Sequence, residues 1–298
     1  MQTRQSMSQS FTSNQEQPLA PIESDHKHRV LVTGGGGRIG SYFAEHSSEK
    51  FEITLLDRSI EKMREKGLDK FATLVEGDIG DIEFLKTSFA DFDSILHLAG
   101  DPDPSATWDS IHETNIVGTY NAYVAAKAAG CRHLVYASSI HAISGYPADV
   151  QVKTSEPVNP GDLYGVSKCF GEAMGRYMAE KEGLSVIAIR IGAFQPIEKA
   201  EDPEAIPMLD AFVSERDLNQ LLVRSLEAQN IKFAIFQGVS DNRFKRMDIS
   251  DARELVGYSP QDSFTKLNPA LKDLELDEKV MSHGMTDHSK SGIRNELD

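Results

Sequence analysis

The stretch Val30-Leu31-Val32-Thr33-Gly34-Gly35-Gly36-Gly37-Arg38-Ile39-Gly40 decides the fold. A short apolar run ends in a glycine-rich turn, and a helix-like segment follows. Gly34, Gly37 and Gly40 have the spacing TGxxGxxG. A side chain at these positions would keep the turn from approaching a pyrophosphate, and the helix that starts there points N–H groups and its positive dipole end at the same place. Glycine clusters also make plain turns. The position between a strand and a helix raises the dinucleotide reading above that one, with Arg38 and Ile39 expected beside the cofactor.

Working outward, strand-like and helix-like segments alternate. Phe51–Leu56, Ala72–Val75, Ser94–Leu98, His133–Ala137 and Ser185–Ile189 read as further strands. Trp108 to Gly130 has helical spacing, with Gly130 as its stop. Apolar strands alternating with helices predict an α/β fold, a Rossmann doubly wound parallel sheet with helices on both faces. Residues 29–190 are expected to form this domain, with the catalytic residues on it. Residues 191–273 are expected to form a small C-terminal substrate lid, containing a helix opened by Ser214-Glu215-Arg216-Asp217 and one short strand, Phe233–Phe236. Residues 1–28, rich in Gln and Ser, and the charged segment 274–298 lack apolar periodicity and read as disordered tails.

The second strand ends in Asp57, on the order of 20 residues beyond the glycines, where a carboxylate accepts from ribose hydroxyls and repels a 2′-phosphate. That favours NAD, although Arg58 next door could pair with the phosphate of NADP. Asp78 and Ile79 follow the third strand, placed to meet the adenine. Leu98-Ala99-Gly100 follows the fourth, where small residues let a cofactor lie close to the backbone.

Tyr164 and Lys168 stand four residues apart, so on a helix they share a face. A phenol is a poor base at neutral pH, and a neighbouring ammonium is expected to lower its pKa. Tyr-x-x-x-Lys alone is common by chance. Its companion is Ser139, at the end of the fifth strand, whose hydroxyl can orient a substrate oxygen towards Tyr164. Asn115, in the preceding long helix, can steady the helix carrying Lys168.

Composition sets outer limits. The net charge of −15 argues against a nucleic-acid partner, and no apolar run approaches the roughly 20 residues that span a bilayer. Cys131 and Cys169 are too few for a disulfide scaffold and lack metal-ligand spacing, so a reducing cytoplasm and no metal are expected.

From Val30 to Asp273 these motifs, in their order and spacing, resemble the extended short-chain dehydrogenase/reductase family, also described as NAD-dependent epimerases/dehydratases. Leu163-Tyr164-Gly165-Val166-Ser167-Lys168-Cys169-Phe170-Gly171-Glu172 is similar to the active-site helix of the uronate dehydrogenases. His97–Pro102 and Gly238–Asn242 look more like related archaeal sugar and sugar-phosphate dehydrogenases. The resemblance implies oxidation of a sugar C1 hydroxyl to the lactone, with Tyr164, Lys168 and Ser139 catalytic. It also implies that Ser139 and His141 contact the sugar and that Arg190 grips an acidic end. Ile140 and Pro102 replace an asparagine and a serine of the uronate enzymes, and Asp101 is a candidate substitute for a sugar-hydroxyl contact. Members often pair through two long helices, here near Trp108–Gly130 and Gly161–Glu182, which makes a homodimer an expectation. A nucleotide-sugar epimerase that retains its NAD is the alternative activity, and a non-catalytic NAD sensor a third. The short lid favours a free sugar or its phosphate.

Overall fold

The computed structural model describes residues 27–272. The expected tails fall almost wholly outside that range. Lys27 and His28, placed by sequence in the first tail, are tied to the body instead. Lys27 Nζ donates to the Ser48 carbonyl at 2.6 Å, and the His28 ring bonds to Ser94 Oγ at 2.9 Å.

Nine strands run in chain order: β1 (Arg29–Thr33), β2 (Glu52–Asp57), β3 (Thr73–Glu76), β4 (Ser94–His97), β5 (His133–Ser139), β6 (Ser185–Ile191), β7 (Ala193–Gln195), β8 (Phe212–Ser214) and β9 (Phe233–Gly238). Seven form one parallel sheet in the order β3-β2-β1-β4-β5-β6-β9. The order reverses between β1 and β4, so a crevice opens there at the carboxyl ends of the strands, where open α/β sheets take their ligands. Six helices matter for the site: α1 (Arg38–Ser47), α2 (Ile60–Glu65), α3 (Ile82–Ser88), α4 (Trp108–Ile111), α5 (Gly118–Ala128) and α6 (Leu163–Tyr177).

The period of two along a strand divides the core between both faces. Val30 and Val32 pack with Phe43 of α1 and with Leu218 and Leu221 of the helix Glu215–Leu226. Leu31 points the other way, into a cluster with Ile95, Ala122 and Tyr123. The sheet is therefore buried on both sides, which is why its strands read as continuous apolar runs.

Two expectations need correction. Phe233–Gly238 is not a lid strand. It pairs in parallel with β6 as the seventh strand of the main sheet. An apolar helix followed by an apolar strand is itself a crossover unit, so the Rossmann layer continues past Arg190 to Gly238. The smaller remaining part is built from the two-stranded β7–β8 ribbon and the segments after Gly238. The helix opened by Ser214 forms as expected, with Ser214 Oγ accepting from Asp217 N at 3.2 Å. The long helix 108–128 is also not uniform, because His112–Val117 is a π-helical segment between α4 and α5. Such widened turns concentrate at functional sites, and this one carries Asn115. Gly130 adopts φ +77°, as a left-handed stop requires.

Candidate active site

The glycine turn and the loop after β4 close on each other. Gly34 has φ +68°, and a Cβ there would lie 2.8 Å from the backbone of Ala99. At Gly40 a Cβ would lie 2.7 Å from the Gly35 carbonyl. Both positions exclude any other residue without backbone movement. Asp57 holds the turn from the side, with Oδ2 accepting from Gly36 N at 2.9 Å and Oδ1 from Arg58 N at 2.7 Å. Arg38 reaches across to β7, donating to Gln195 Oε1 at 3.2 Å over the ring of Phe194.

These residues wall a cavity of about 1350 Å³, larger than the ≈300–1,000 Å³ of a drug-sized ligand site. Gly34, Gly37, Arg38, Ile39, Gly40, Asp57, Asp78, Ile79, Leu98, Ala99 and Gly100 all line it, as does Asp101. The glycine cradle, the carboxylate at the end of β2 and the volume together fit an extended dinucleotide.

Gly100 lies between this cavity and side chains expected to be catalytic, none of which lines it: a Cβ there would lie 3.0 Å from Asn115 Oδ1 and 3.5 Å from Lys168 Nζ. Helix α6 starts at the N-cap Asp162, whose Oδ1 accepts from Gly165 N at 2.7 Å. A Cβ on Gly165 would stand 2.2 Å from the His141 carbonyl, so only glycine lets α6 lie against the turn after β5. That contact sets the turn after β5, where Ser139 Oγ accepts from His141 N at 3.2 Å, against the start of α6. Lys168, buried on the same face of α6, donates to the Ala137 carbonyl at 2.9 Å and sits 5.5 Å from the centre of the Tyr164 ring.

The electrostatics differ from the sequence expectation. Burial pushes the Tyr164 phenol above its ordinary value; the Ser139 hydroxyl opposes this, and Asp162 and Asp101 add to it. Burial also pushes Lys168 down to about 8. In the protein alone desolvation of the phenol outweighs the depression expected from Lys168.

Asn115 does steady α6, and directly. Its Nδ2 donates to Ser167 Oγ and to the Asp101 carbonyl, each at 3.0 Å, and its Oδ1 accepts from Asp101 N at 2.7 Å. His141 meets the Tyr164 ring edge-on, and its Nδ1 bonds to Asp162 Oδ2 at 2.6 Å. Arg190 is placed otherwise than expected. Its Nε and one terminal nitrogen clasp Glu172 at 2.8 Å each, with both side chains buried, and its NH1 is buried with no partner. Glu172 Oε1 also accepts from Ser138 Oγ at 2.6 Å. The fork proposed for a substrate anion is thus turned onto α6.

Sequence reasoning missed Asp162 and Glu172. Asp162 carries an N-cap signature two residues before Tyr164, and Glu172 follows Lys168 by four, on the Tyr164–Lys168 face. Among the described residues no group of three or more His, Cys, Asp or Glu side chains could hold a metal ion, and no helix is long and apolar enough to cross a membrane.

A parallel sheet with a glycine-cradled dinucleotide cavity, and Tyr164 and Lys168 on one helix face beside its Gly100 wall, defines an NAD-dependent enzyme of the short-chain type. The model of the NAD dependent epimerase/dehydratase family matches residues 30–195, and the chain belongs to that family. An NAD-dependent glucose-6-phosphate dehydrogenase of Haloferax volcanii is 34% identical, over 78% of this chain and 93% of the relative. An L-arabinose 1-dehydrogenase (NAD(P)(+)) of the same organism is 33% identical, over 79% and 97%. Among solved structures, a uronate dehydrogenase from Agrobacterium tumefaciens, in a complex with NAD, superposes with a TM-score of 0.71 at 31% identity, over 80% of this chain and 86% of that one.

Proposed function

We propose that this protein is an NAD-dependent dehydrogenase that oxidises the C1 hydroxyl of a sugar to the lactone. The observation that carries the reading is Tyr164 with Lys168 on the same face of α6, 5.5 Å from its ring centre, beside Gly100 in the wall of a dinucleotide-sized cavity. NAD, when bound, supplies the acceptor for the hydride that leaves C1. Tyr164 takes the C1 hydroxyl proton, and Ser139 orients that hydroxyl against the phenol. Lys168, fixed by the Ala137 carbonyl, keeps a positive charge beside the phenolate that forms. Asn115 and Asp162 hold α6 in place, and Asp162 fixes the His141 ring at the edge of the sugar site. Gly34, Gly37, Gly40 and Asp57 would hold the diphosphate and ribose of NAD. Arg190 serves to anchor α6 to the sheet.

The relatives' activities support this reading. Incubation with NAD and a panel of aldoses, uronates and sugar phosphates should yield NADH and a lactone with at least one class. No NADH with any of them, together with turnover of a UDP-sugar on tightly retained NAD, would replace the reading by the epimerase one.

We also propose a homodimer through α5 and α6, whose outer faces expose Tyr120, Val166 and Tyr177, and a cytoplasmic site, consistent with two free thiols, Cys131 and Cys169. Light scattering on the purified chain decides the first: a monomer at micromolar concentration refutes it.

A further inference from the structure

The substrate end of the cavity carries a charge for which the catalytic step has no use. Asp101 follows the small-residue turn Leu98–Gly100, is half-buried, and lines the cavity. Asn115 fixes its main chain from both sides, accepting from its N–H and donating to its carbonyl. Its carboxylate accepts from Ser110 Oγ at 2.5 Å and from Asp103 N at 3.0 Å. Both partners are neutral donors, so the negative charge is not compensated by them. Each carboxylate oxygen keeps further acceptor capacity. The charge is felt at the reaction centre, because Asp101 and Asp162 are the two carboxylates that hold the Tyr164 phenol up.

Of the cations about the turn after β5, Arg246 donates to the Ser144 and Tyr146 carbonyls. The Arg190 fork is closed on Glu172. Ile140, beside Ser139, packs against the apolar core. Acceptor-only oxygens suit a ligand rich in hydroxyl donors, whereas a carboxylate or phosphate brings no donor and a like charge.

We propose that Asp101 sets the substrate class, accepting hydrogen bonds from the hydroxyls of a neutral aldose and repelling an anionic group, so that neutral aldoses are oxidised in preference to uronates and sugar phosphates. The proposal rests on the sugar-dehydrogenase reading above and makes a choice which that reading leaves open.

The test compares kcat/KM for neutral pentoses and hexoses, for glucuronate and galacturonate, and for glucose 6-phosphate, in the wild type and in Asp101→Asn. The wild type should favour its best neutral aldose over every anionic sugar by at least tenfold, about 1.4 kcal/mol. Asp101→Asn keeps the size of the side chain and both main-chain links to Asn115. It should lower kcat/KM for the aldose about tenfold and raise it for the uronates, compared at saturating NAD. Added salt should lower the wild-type KM for uronates and leave that for aldoses alone. A wild-type ratio below tenfold, or a ratio that Asp101→Asn does not move, overturns the proposal while the dehydrogenase reading stands. No NADH with any sugar overturns both.

Discussion

If Arg190 is an anchor rather than a substrate grip, its removal should damage the fold, and the damage should be repaired from the other side of the pair. Arg190→Met leaves the Glu172 carboxylate buried at 4% exposure with Ser138 as its remaining side-chain donor. Breaking a buried pair in this way costs about 3–5 kcal/mol. Glu172→Leu leaves a buried guanidinium and costs a similar amount. Independent effects would therefore sum to roughly 6–10 kcal/mol, which would unfold a domain of ordinary stability. Replacing both charges by apolar groups of similar volume removes the desolvation penalty as well as the attraction, so Glu172→Leu/Arg190→Met should lie within about 2 kcal/mol of the wild type. Part of that residue is the lost Ser138 bond, about 1 kcal/mol. Urea denaturation of the four proteins gives the coupling energy, expected to exceed about 3 kcal/mol. Steady-state kinetics of the double variant should show a sugar KM within threefold of the wild type. Single variants that cost less than about 1 kcal/mol, or a stable double variant with its sugar KM raised tenfold, would refute the anchoring role.

Two further outcomes follow from named residues. His97 and His133 are buried and held neutral, pushed down to about 3 and about 4 by burial. Below the unfolded value of 6.5 the unfolded chain takes up protons that the folded chain does not, so stability falls as pH falls through that window. From pH 7.5 to pH 5 each histidine should remove about 2 kcal/mol; denaturation midpoints measure it, and His97→Gln should show the smaller pH slope. Gly34→Ala forces a left-handed alanine, costing about 1 kcal/mol, and drives a Cβ against the Ala99 backbone. Calorimetry should find NAD binding weakened more than tenfold in a protein that still folds.

The parallel sheet was legible because its central strands are buried on both faces and so write themselves as apolar runs, whereas the edge strand β3 is only half-buried. The cofactor wall was legible because the left-handed turn at Gly34 and the close approach at Gly40 admit one residue type. The seventh strand was misassigned because apolarity alone does not tell a sheet strand from a lid strand. Only its parallel register with β6 does. Arg190 was misread for a related reason. Its place at the end of a strand beside the site was visible, but its partner Glu172 lies 18 positions earlier and meets it only through the packing of α6 on β6. The π-helical turn left no mark in the periodicity, since one added residue within a 21-residue helical segment barely shifts an apolar stripe. The upward shift of the Tyr164 phenol depends on burial and on Asp101, neither of which the Tyr-x-x-x-Lys spacing contains.

The central claim is that Tyr164 is the base of an NAD-dependent sugar oxidation. It is tested most directly by comparing NADH formation by the wild type and Tyr164→Phe on the best sugar of the panel, with the NAD affinity of both measured by calorimetry. The predicted result is a loss of 10²–10⁴-fold in kcat/KM with NAD affinity unchanged within threefold. Turnover by Tyr164→Phe within tenfold of the wild type, at equal NAD occupancy, would contradict it.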